Sequence, residues 1–175
     1  GPPPTGRNNG AKKAKHDLLF LDADTELKNR NFLACFMKKV SDNKLDLATC
    51  VVLPDSSEFL HKIYFSFKNY GNILINYFVP HASGQCLFIK KRIFNKIGGY
   101  DEFLFLAEEH DLIQRAVKAQ GKFKFFMDIY IYNSVRRLKK EGTLNLLMKG
   151  IYSELHRLLI GKIRRNIFNY EYGKF

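Results

Sequence analysis

Two aspartates that stand one residue apart are the first side chains in this sequence that could do chemistry. Asp22 and Asp24 follow four consecutive apolar residues, 18–21. Such a short apolar run is typical of a strand that is buried on both faces of a parallel sheet. In an extended chain the two carboxylates would share a side and could hold a hard cation such as Mg²⁺ or Mn²⁺. The pattern leaves open an ordinary strand end, at which aspartate only caps the next segment.

A second acidic group lies in the C-terminal half of the chain. Glu108, Glu109 and Asp111 surround His110 at the start of an amphipathic stretch, residues 109–120. Neighbouring carboxylates can raise one another's pKa into a range that suits a general base. The same acids would also complement the dipole of a helix N-terminus, which requires no reaction. No second histidine or cysteine stands at ligand spacing from His110, so the sequence predicts no metal site there.

Apolar periodicity predicts the elements that position these acids. Strands are predicted at residues 18–21, 47–53, 85–90 and 122–132, the last with residues 123, 125, 127, 129 and 131 on one face. Helices are predicted at residues 9–15, 29–40, 91–97 and 109–120, and helical spacing also recurs within 56–78, where Gly71 and Asn72 interrupt it. The first ten residues are rich in Gly, Pro and Asn, which predicts a loop. The succession of strand, helix and strand predicts parallel pairing in an α/β fold.

From Thr143 onward the pattern changes to one long amphipathic helix. Its apolar stripe consists of Leu144, Leu147, Met148, Ile151, Leu155, Leu158 and Leu159. Residues 134–175 carry ten Lys and Arg against three Glu. A basic amphipathic helix is typical of an element that lies on an anionic membrane surface. A helix that packs on the domain and exposes a solvated basic face fits the pattern equally well.

The composition limits the classes of partner. A chain of 175 residues that is 46% hydrophobic can bury the core of one domain. The net charge of +12 favours an anionic partner, such as a nucleic acid, a membrane surface or a phosphorylated substrate. Nucleic acid is the least favoured of these, because the basic residues concentrate near the C-terminus and no nucleic-acid-binding motif is present. Three widely spaced cysteines, Cys35, Cys50 and Cys86, predict free thiols.

Four segments together resemble the family 2 glycosyltransferases, which have the GT-A fold. The first resembles the family's Arg-Asn-x-Gly segment, and the second resembles its metal strand with the Asp-x-Asp motif. The third resembles the acceptor-side strand with its Gly-Gly-Phe-Asp-Glu turn, and the fourth the Glu-Asp-x-Asp-Leu helix start. These segments stand in the family's order, at residues 6–11, 18–24, 84–102 and 107–121, within a resemblance that covers roughly residues 6–137.

The resemblance implies transfer of a sugar from a nucleotide-sugar donor to a hydroxyl acceptor, with inversion and with Mn²⁺ or Mg²⁺. It implies that Asp22 and Asp24 hold the metal, and that Glu109 is the general base beside Glu108 and Asp111. The implied donor-side residues are Arg7, Asn8, Asp22 and Arg137, and the acceptor-side residues are Gly84, Tyr100 and Asp101. The acceptor would be a glycan or a lipid-linked molecule, reached at the cytoplasmic face of the membrane.

The chain departs from the family pattern in two places. Members usually carry several strands and helices before the Asp-x-Asp motif, and these form much of the nucleotide pocket. The resemblance therefore implies an N-terminally truncated GT-A domain in residues 1–137, with a mostly parallel, Rossmann-like sheet flanked by helices. A basic amphipathic helical extension follows in residues 138–175. The family's Glu-Asp pair is Glu108-Glu109 here, which shifts the proton-accepting oxygen by one methylene. The alternative function is a catalytically incomplete module that binds anionic membranes or nucleic acid.

Overall fold

The computed structural model describes residues 3–167 and has an α/β fold, with helices around one five-stranded mixed sheet. The helices are α1 (Pro3–Lys13), α2 (Phe32–Asp42), α3 (Phe59–Asn76), α4 (Lys91–Lys96), α5 (Glu108–Lys118), α6 (Arg136–Glu141) and α7 (Thr143–Leu159). The strands are β1 (Leu18–Leu21), β2 (Thr25–Glu26), β3 (Leu47–Pro54), β4 (Cys86–Ile89) and β5 (Phe123–Asn133). Their order across the sheet is β1-β4-β3-β5-β2.

The prediction of a mostly parallel sheet is wrong. Only β3 and β5 pair in parallel, whereas the β1–β4, β4–β3 and β5–β2 pairs are antiparallel. Strands β1 and β3 do run in the same direction, but β4 lies between them and is antiparallel to both. An apolar run indicates that a strand is buried and does not specify its partner, which here comes from a distant part of the chain.

Both faces of the sheet are covered, which explains the continuous apolar runs of its central strands. In β4, Cys86 and Phe88 belong to a core that includes residues of α2 and α3, whereas Leu87 and Ile89 belong to a second core with α4 and α5. Cys50 and Cys86 are buried free thiols, and Cys35 is a free thiol on the surface. The side-chain alternation of an extended strand therefore supplies both cores at once.

Three local predictions fail for identifiable reasons. The first ten residues are not a loop, because α1 begins at Pro3, and proline is compatible with the first turn of a helix. Gly71 does not interrupt α3, which continues to Asn76. The alternation predicted for β5 is broken by a register shift, because Cys50 pairs with Phe126 but Val51 pairs with Tyr130. Phe126 is consequently buried, and Met127 is 62% exposed.

The C-terminal helices pack against the domain and still present an apolar surface. Leu138 and Leu146 belong to the core, and the backbone N–H of Phe105 donates a hydrogen bond to the carbonyl of Ile163 at 2.8 Å. The domain boundary that the sequence predicts after residue 137 lies within α6. Most of the predicted α7 stripe faces outward, with Leu144, Met148, Leu155, Leu158 and Leu159 all exposed. Among residues 3–167, no helix has the length and hydropathy needed to cross a bilayer.

Candidate active site

A polar cleft of about 660 Å³ opens between the end of β1, the start of α5 and helices α1, α3, α6 and α7. Acidic side chains line it after β1, at the start of α5 and on α7, and basic side chains line it from α1, α3, α6 and α7. The cleft collects seven of the predicted site residues, namely Arg7, Asp22, Asp24, Gly84, Glu108, Glu109 and Arg137. These residues are far apart in the sequence, so the fold brings the predicted donor, metal and base groups into one space.

The two aspartates share the cleft although the chain between them is not extended. After β1, the backbone N–H of Thr25 donates to the carbonyl of Asp22 at 3.1 Å, which closes a turn. The backbone carbonyl of Asp24 accepts a hydrogen bond from Ser134 N–H at 3.1 Å, and its carboxylate lies 3.5 Å from the side-chain nitrogen of Asn133. The turn and the end of β5 therefore fix Asp24, and both carboxylates line the cleft.

Arg7 joins the two acidic groups. Its guanidinium donates to Asp22 Oδ1 and to Glu108 Oε1, each at 2.7 Å, and lies 5.4 Å from the centre of the Tyr100 ring. Burial alone would lower the pKa of Arg7, but the groups around it, Tyr100 and the three nearby carboxylates, raise it. Burial raises the pKa of Asp22, against the opposing effect of Arg7. Arg7 thus fixes the geometry of Asp22 and Glu108 as a permanently charged bridge.

Glu108 is buried at the first position of α5. The preceding residue, Ala107, adopts a left-handed conformation with φ of 62°, which turns the chain into the helix. Burial and the neighbouring charge of Glu109 raise the pKa of Glu108 to about 8, although the ion pair with Arg7 acts in the opposite direction. A carboxyl that is tied to Arg7 and binds a proton near neutral pH is a poor acceptor for a further proton.

Glu109 points towards Gly84, at the turn before β4. A β-carbon on residue 84 would lie 2.9 Å from Glu109 Oε1 and 3.0 Å from its Cδ. The sequence predicts that Gly84 leaves room for the acceptor, and in the structure the space beside Gly84 is taken by the Glu109 carboxylate. His110 Nε2 lies 3.9 Å from Glu109 Oε1. Burial lowers the pKa of His110 well below its ordinary value, with further contributions from His81 and two cations. The imidazole beside Glu109 is therefore neutral.

Four of the predicted site residues stabilise the surroundings of the cleft and do not line it. The side-chain amide of Asn8 pairs with the backbone N–H and carbonyl of Tyr100, at 2.9 and 3.0 Å. Tyr100 itself is buried and packs edge-on against Phe20. Asp101 forms ion pairs with Lys162 and Arg164, and Asp111 forms ion pairs with Arg115 at 2.7 Å and with Lys162 at 2.6 Å. Donor and acceptor contacts for these residues stay predictions.

A histidine pair behind Glu109 is a feature that the sequence did not predict. The rings of His81 and His110 stack with centroids 3.5 Å apart, and His81 Nε2 lies 3.5 Å from Glu154 Oε1 on α7. One ligand atom from each of these three residues lies within 4.8 Å of the other two, so the group could hold a metal ion. Because lone pairs lie in the plane of an imidazole ring, coordination by both histidines requires one ring to turn out of the stack.

Lys68 is a further cleft residue that the sequence did not predict. It lies on α3 and its side chain reaches the cleft next to Glu109. Burial lowers the pKa of Lys68, while the charges of Glu109, Asp22 and Asp24 oppose that effect. From the sequence alone, Lys68 would be taken for a solvated lysine of an amphipathic helix. Tyr64, Gly71 and Ile75 nevertheless lie on the same face of that helix, because successive members of the set are three or four residues apart.

A scan against protein-family models gives no match, and a search of the curated proteins gives none either. The function must therefore be argued from the cleft itself. The cleft combines two carboxylates after a strand, a third acid against a glycine, and cationic side chains from four helices.

Proposed function

We propose that the protein transfers a sugar from a nucleotide-sugar donor to a hydroxyl acceptor, with inversion and with the help of Mn²⁺ or Mg²⁺. The observation that carries the proposal is the convergence of Asp22, Asp24 and Glu109 in one cleft that also contains Lys68 and Arg137. In the reaction, the acceptor oxygen forms a bond to the anomeric carbon while the bond from that carbon to the diphosphate breaks. The hydroxyl proton passes to a carboxylate of the cleft.

Glu109 is the side chain that best fits the role of base. Asp111 is engaged by two cations outside the cleft, and Glu108 is held by Arg7 at 2.7 Å. Glu109 forms no ion pair with a lysine or arginine among residues 3–167, and it lies against Gly84 and a neutral imidazole. The substitution of the family's aspartate by glutamate fits this geometry, because the longer side chain reaches the turn before β4. Glu108 and Arg7 then act as positioning residues.

The residues after β1 fit a hard divalent cation. Asp24 is exposed to the cleft and its carboxylate forms no ion pair among residues 3–167, whereas one oxygen of Asp22 is bonded to Arg7. Asp24 would be the main ligand, with Asp22 nearer the ribose, because oxygen donors suit Mg²⁺ and Mn²⁺. When bound, the ion would stabilise the charge that develops on the departing diphosphate. Arg137 of α6 lies in the same cleft and would contact the diphosphate.

The surface around the cleft supports a site of action at a membrane. Helices α3 and α7 pack against each other and expose large apolar side chains, among them Phe67, Leu74, Leu155 and Leu158. The chain is also strongly basic, which favours an anionic bilayer face. We place the reaction at the cytoplasmic face of the membrane, with the protein bound peripherally. This surface equally favours the second candidate, a membrane-binding module without turnover.

The metal-dependent half of the proposal can be tested by nucleotide-sugar binding. Isothermal titration calorimetry with a panel of nucleotide sugars, in Mn²⁺ and in EDTA, should detect binding that requires the metal. Asp24→Asn should weaken this binding at least about tenfold, because it removes a charged ligand. Asp128→Asn is the matched control, since Asp128 is an exposed residue of β5 paired with Lys39. Equal binding by wild type and Asp24→Asn, with and without Mn²⁺, would remove the metal site and favour the binding module.

A further inference from the structure

An apolar groove of about 300 Å³ lies between α3 and α7 and continues the polar cleft. Its walls are mainly apolar, with Phe67, Ile75, Leu147, Ile151 and Leu155 among them. The cleft and the groove share residues along their junction, including Lys68, Glu109, His110 and Gly150. A single ligand could therefore place a polar group in the cleft and an apolar chain in the groove.

The side chain of Lys68 lies at this junction, and its protein partners in the described part of the chain are only the longer-range charges of Glu109, Asp22 and Asp24. Within residues 3–167, Lys68 forms no hydrogen bond and no ion pair. The groove has two acidic side chains: Glu109 attracts Lys68 without a direct ion pair, and Glu154 is paired with Arg157 at 2.8 Å. A partly buried cation that forms no direct ion pair is stabilised when an anionic ligand joins it. A lipid phosphate supplies such an anion together with an apolar chain, and a phosphate monoester carries more negative charge at neutral pH than a fatty-acid carboxylate.

Two glycines keep the groove open. A β-carbon added at Gly71 on α3 or at Gly150 on α7 would have no heavy atom within 4 Å. Both positions are helical, where glycine is less favourable than alanine. A long side chain at either position would extend into the space between the helices. At the rim of the groove, Phe67 and Leu155 are also exposed and continue the apolar surface outward. The apolar chain of a lipid could therefore enter the groove from a membrane.

We propose that Lys68 and the groove form the binding site of a phosphate-linked lipid acceptor. Its apolar chain lies along Gly71, Ile75 and Ile151, its phosphate pairs with Lys68, and the hydroxyl-bearing group beyond the phosphate reaches Glu109. This assignment rests on the proposed sugar transfer for its acceptor role, but the binding site itself does not. The site favours a lipid phosphate over a free glycan, because a glycan would leave the apolar groove empty and would bring no anion to Lys68.

The test uses the intact chain and three probes, namely octyl phosphate, inorganic phosphate and octan-1-ol, each titrated by calorimetry. Octyl phosphate should bind at least about tenfold tighter than either fragment, because only octyl phosphate places an anion beside Lys68 and an apolar chain in the groove. Lys68→Met should weaken octyl phosphate about tenfold or more and leave octan-1-ol unchanged. Gly71→Leu should weaken both alkyl probes and leave the Mn²⁺-dependent nucleotide-sugar binding intact, because residue 71 lines the groove and not the cleft.

The matched control is Gly10→Leu, which also adds a side chain in open space on a helix but borders neither cavity. It should bind all probes as the wild type does. Octyl phosphate that binds no better than inorganic phosphate, or binding that survives in both Lys68→Met and Gly71→Leu, would overturn the inference. Neither result would affect the metal-dependent donor binding, so failure of the acceptor site and failure of the proposed reaction are separate outcomes.

Discussion

Gly84 and Glu109 are in direct contact, since a β-carbon on residue 84 would lie 2.9 Å from the carboxylate oxygen Oε1 of Glu109. The glycine stands in the turn before β4, and the glutamate stands at the start of α5. Absence of a side chain at residue 84 therefore leaves the space that the carboxylate occupies. This contact connects the turn before β4 to the side chain that we assign as the general base.

Gly84→Ala should reduce sugar transfer without unfolding the protein. The new methyl group meets only the end of a flexible side chain, so the carboxylate moves and the free energy of unfolding changes by less than about 1 kcal/mol. Displacement of a base by about 1 Å costs roughly 100-fold in rate. Steady-state kinetics should show the loss in kcat. Gly6→Ala, which adds a methyl group in open space on α1, is the control. A normal kcat in Gly84→Ala would refute the contact's importance.

Arg7→Met should destabilise the fold. The side chain of Arg7 is 16% exposed and donates to Asp22 and Glu108, both at 2.7 Å. Removing Arg7 leaves the carboxylate of Asp22 uncompensated, and breaking a largely buried ion pair costs about 3 kcal/mol. Urea denaturation at pH 7 measures the change. The double variant Arg7→Met with Asp22→Asn should recover part of this loss, because the unpaired charge of Asp22 is then absent. Unaltered stability in Arg7→Met would show that the bridge contributes nothing.

Glu108 should make stability fall as the pH rises. Its pKa is raised from 4.5 to about 8, so the folded protein binds a proton that the unfolded chain releases near pH 4.5. The stabilisation from this group is complete below about pH 4.5 and is lost as the pH rises through 8. Glu108→Gln removes the titration. Thermal denaturation from pH 5 to pH 9 should show the Tm of the variant rising relative to wild type. A constant difference in Tm would contradict the raised pKa.

The exposed apolar residues of α7 should support membrane binding. Leu158 is 68% exposed and Leu159 is 82% exposed, and neither lines the cleft or the groove. The double variant Leu158→Gln with Leu159→Gln should reduce flotation with anionic liposomes about tenfold, because less apolar area enters the bilayer. Met127→Gln, also at an exposed apolar side chain, is the control. Deletion of residues 138–175 would be a poor test of membrane binding, because Leu138 and Leu146 belong to the core. Equal flotation of all three proteins would exclude this surface.

Most helices and strands could be predicted because their apolar spacing is local. Phe32, Phe36 and Val40 recur every four residues and form the buried face of α2 as expected. The pairing of β1 with β4 could not be predicted, because Leu18 meets Ile89 across a long stretch of chain. The register shift in β5 also leaves no mark in the alternation of apolar residues, so Met127 was assigned to the wrong face.

The candidate site could be predicted only where the sequence carries a motif. Asp22, Asp24 and Glu109 stand in such motifs, and the fold brings them together. The ion pair between Arg7 and Glu108 joins residues on two separate helices. The stack of His81 on His110 likewise depends on how the turn before β4 meets α5, and no spacing rule contains that information. Lys68 had a detectable signal, because glycine and apolar residues share its helical face.

The central claim is that Glu109 accepts the proton of the acceptor hydroxyl. The direct measurement compares sugar transfer and donor binding in wild type and Glu109→Gln, with Mn²⁺ and octyl phosphate-linked sugar as acceptor. We expect Glu109→Gln to bind the nucleotide sugar as the wild type does and to lose at least about 100-fold in kcat, because the amide cannot take the proton. Transfer by Glu109→Gln at the wild-type rate would contradict the assignment.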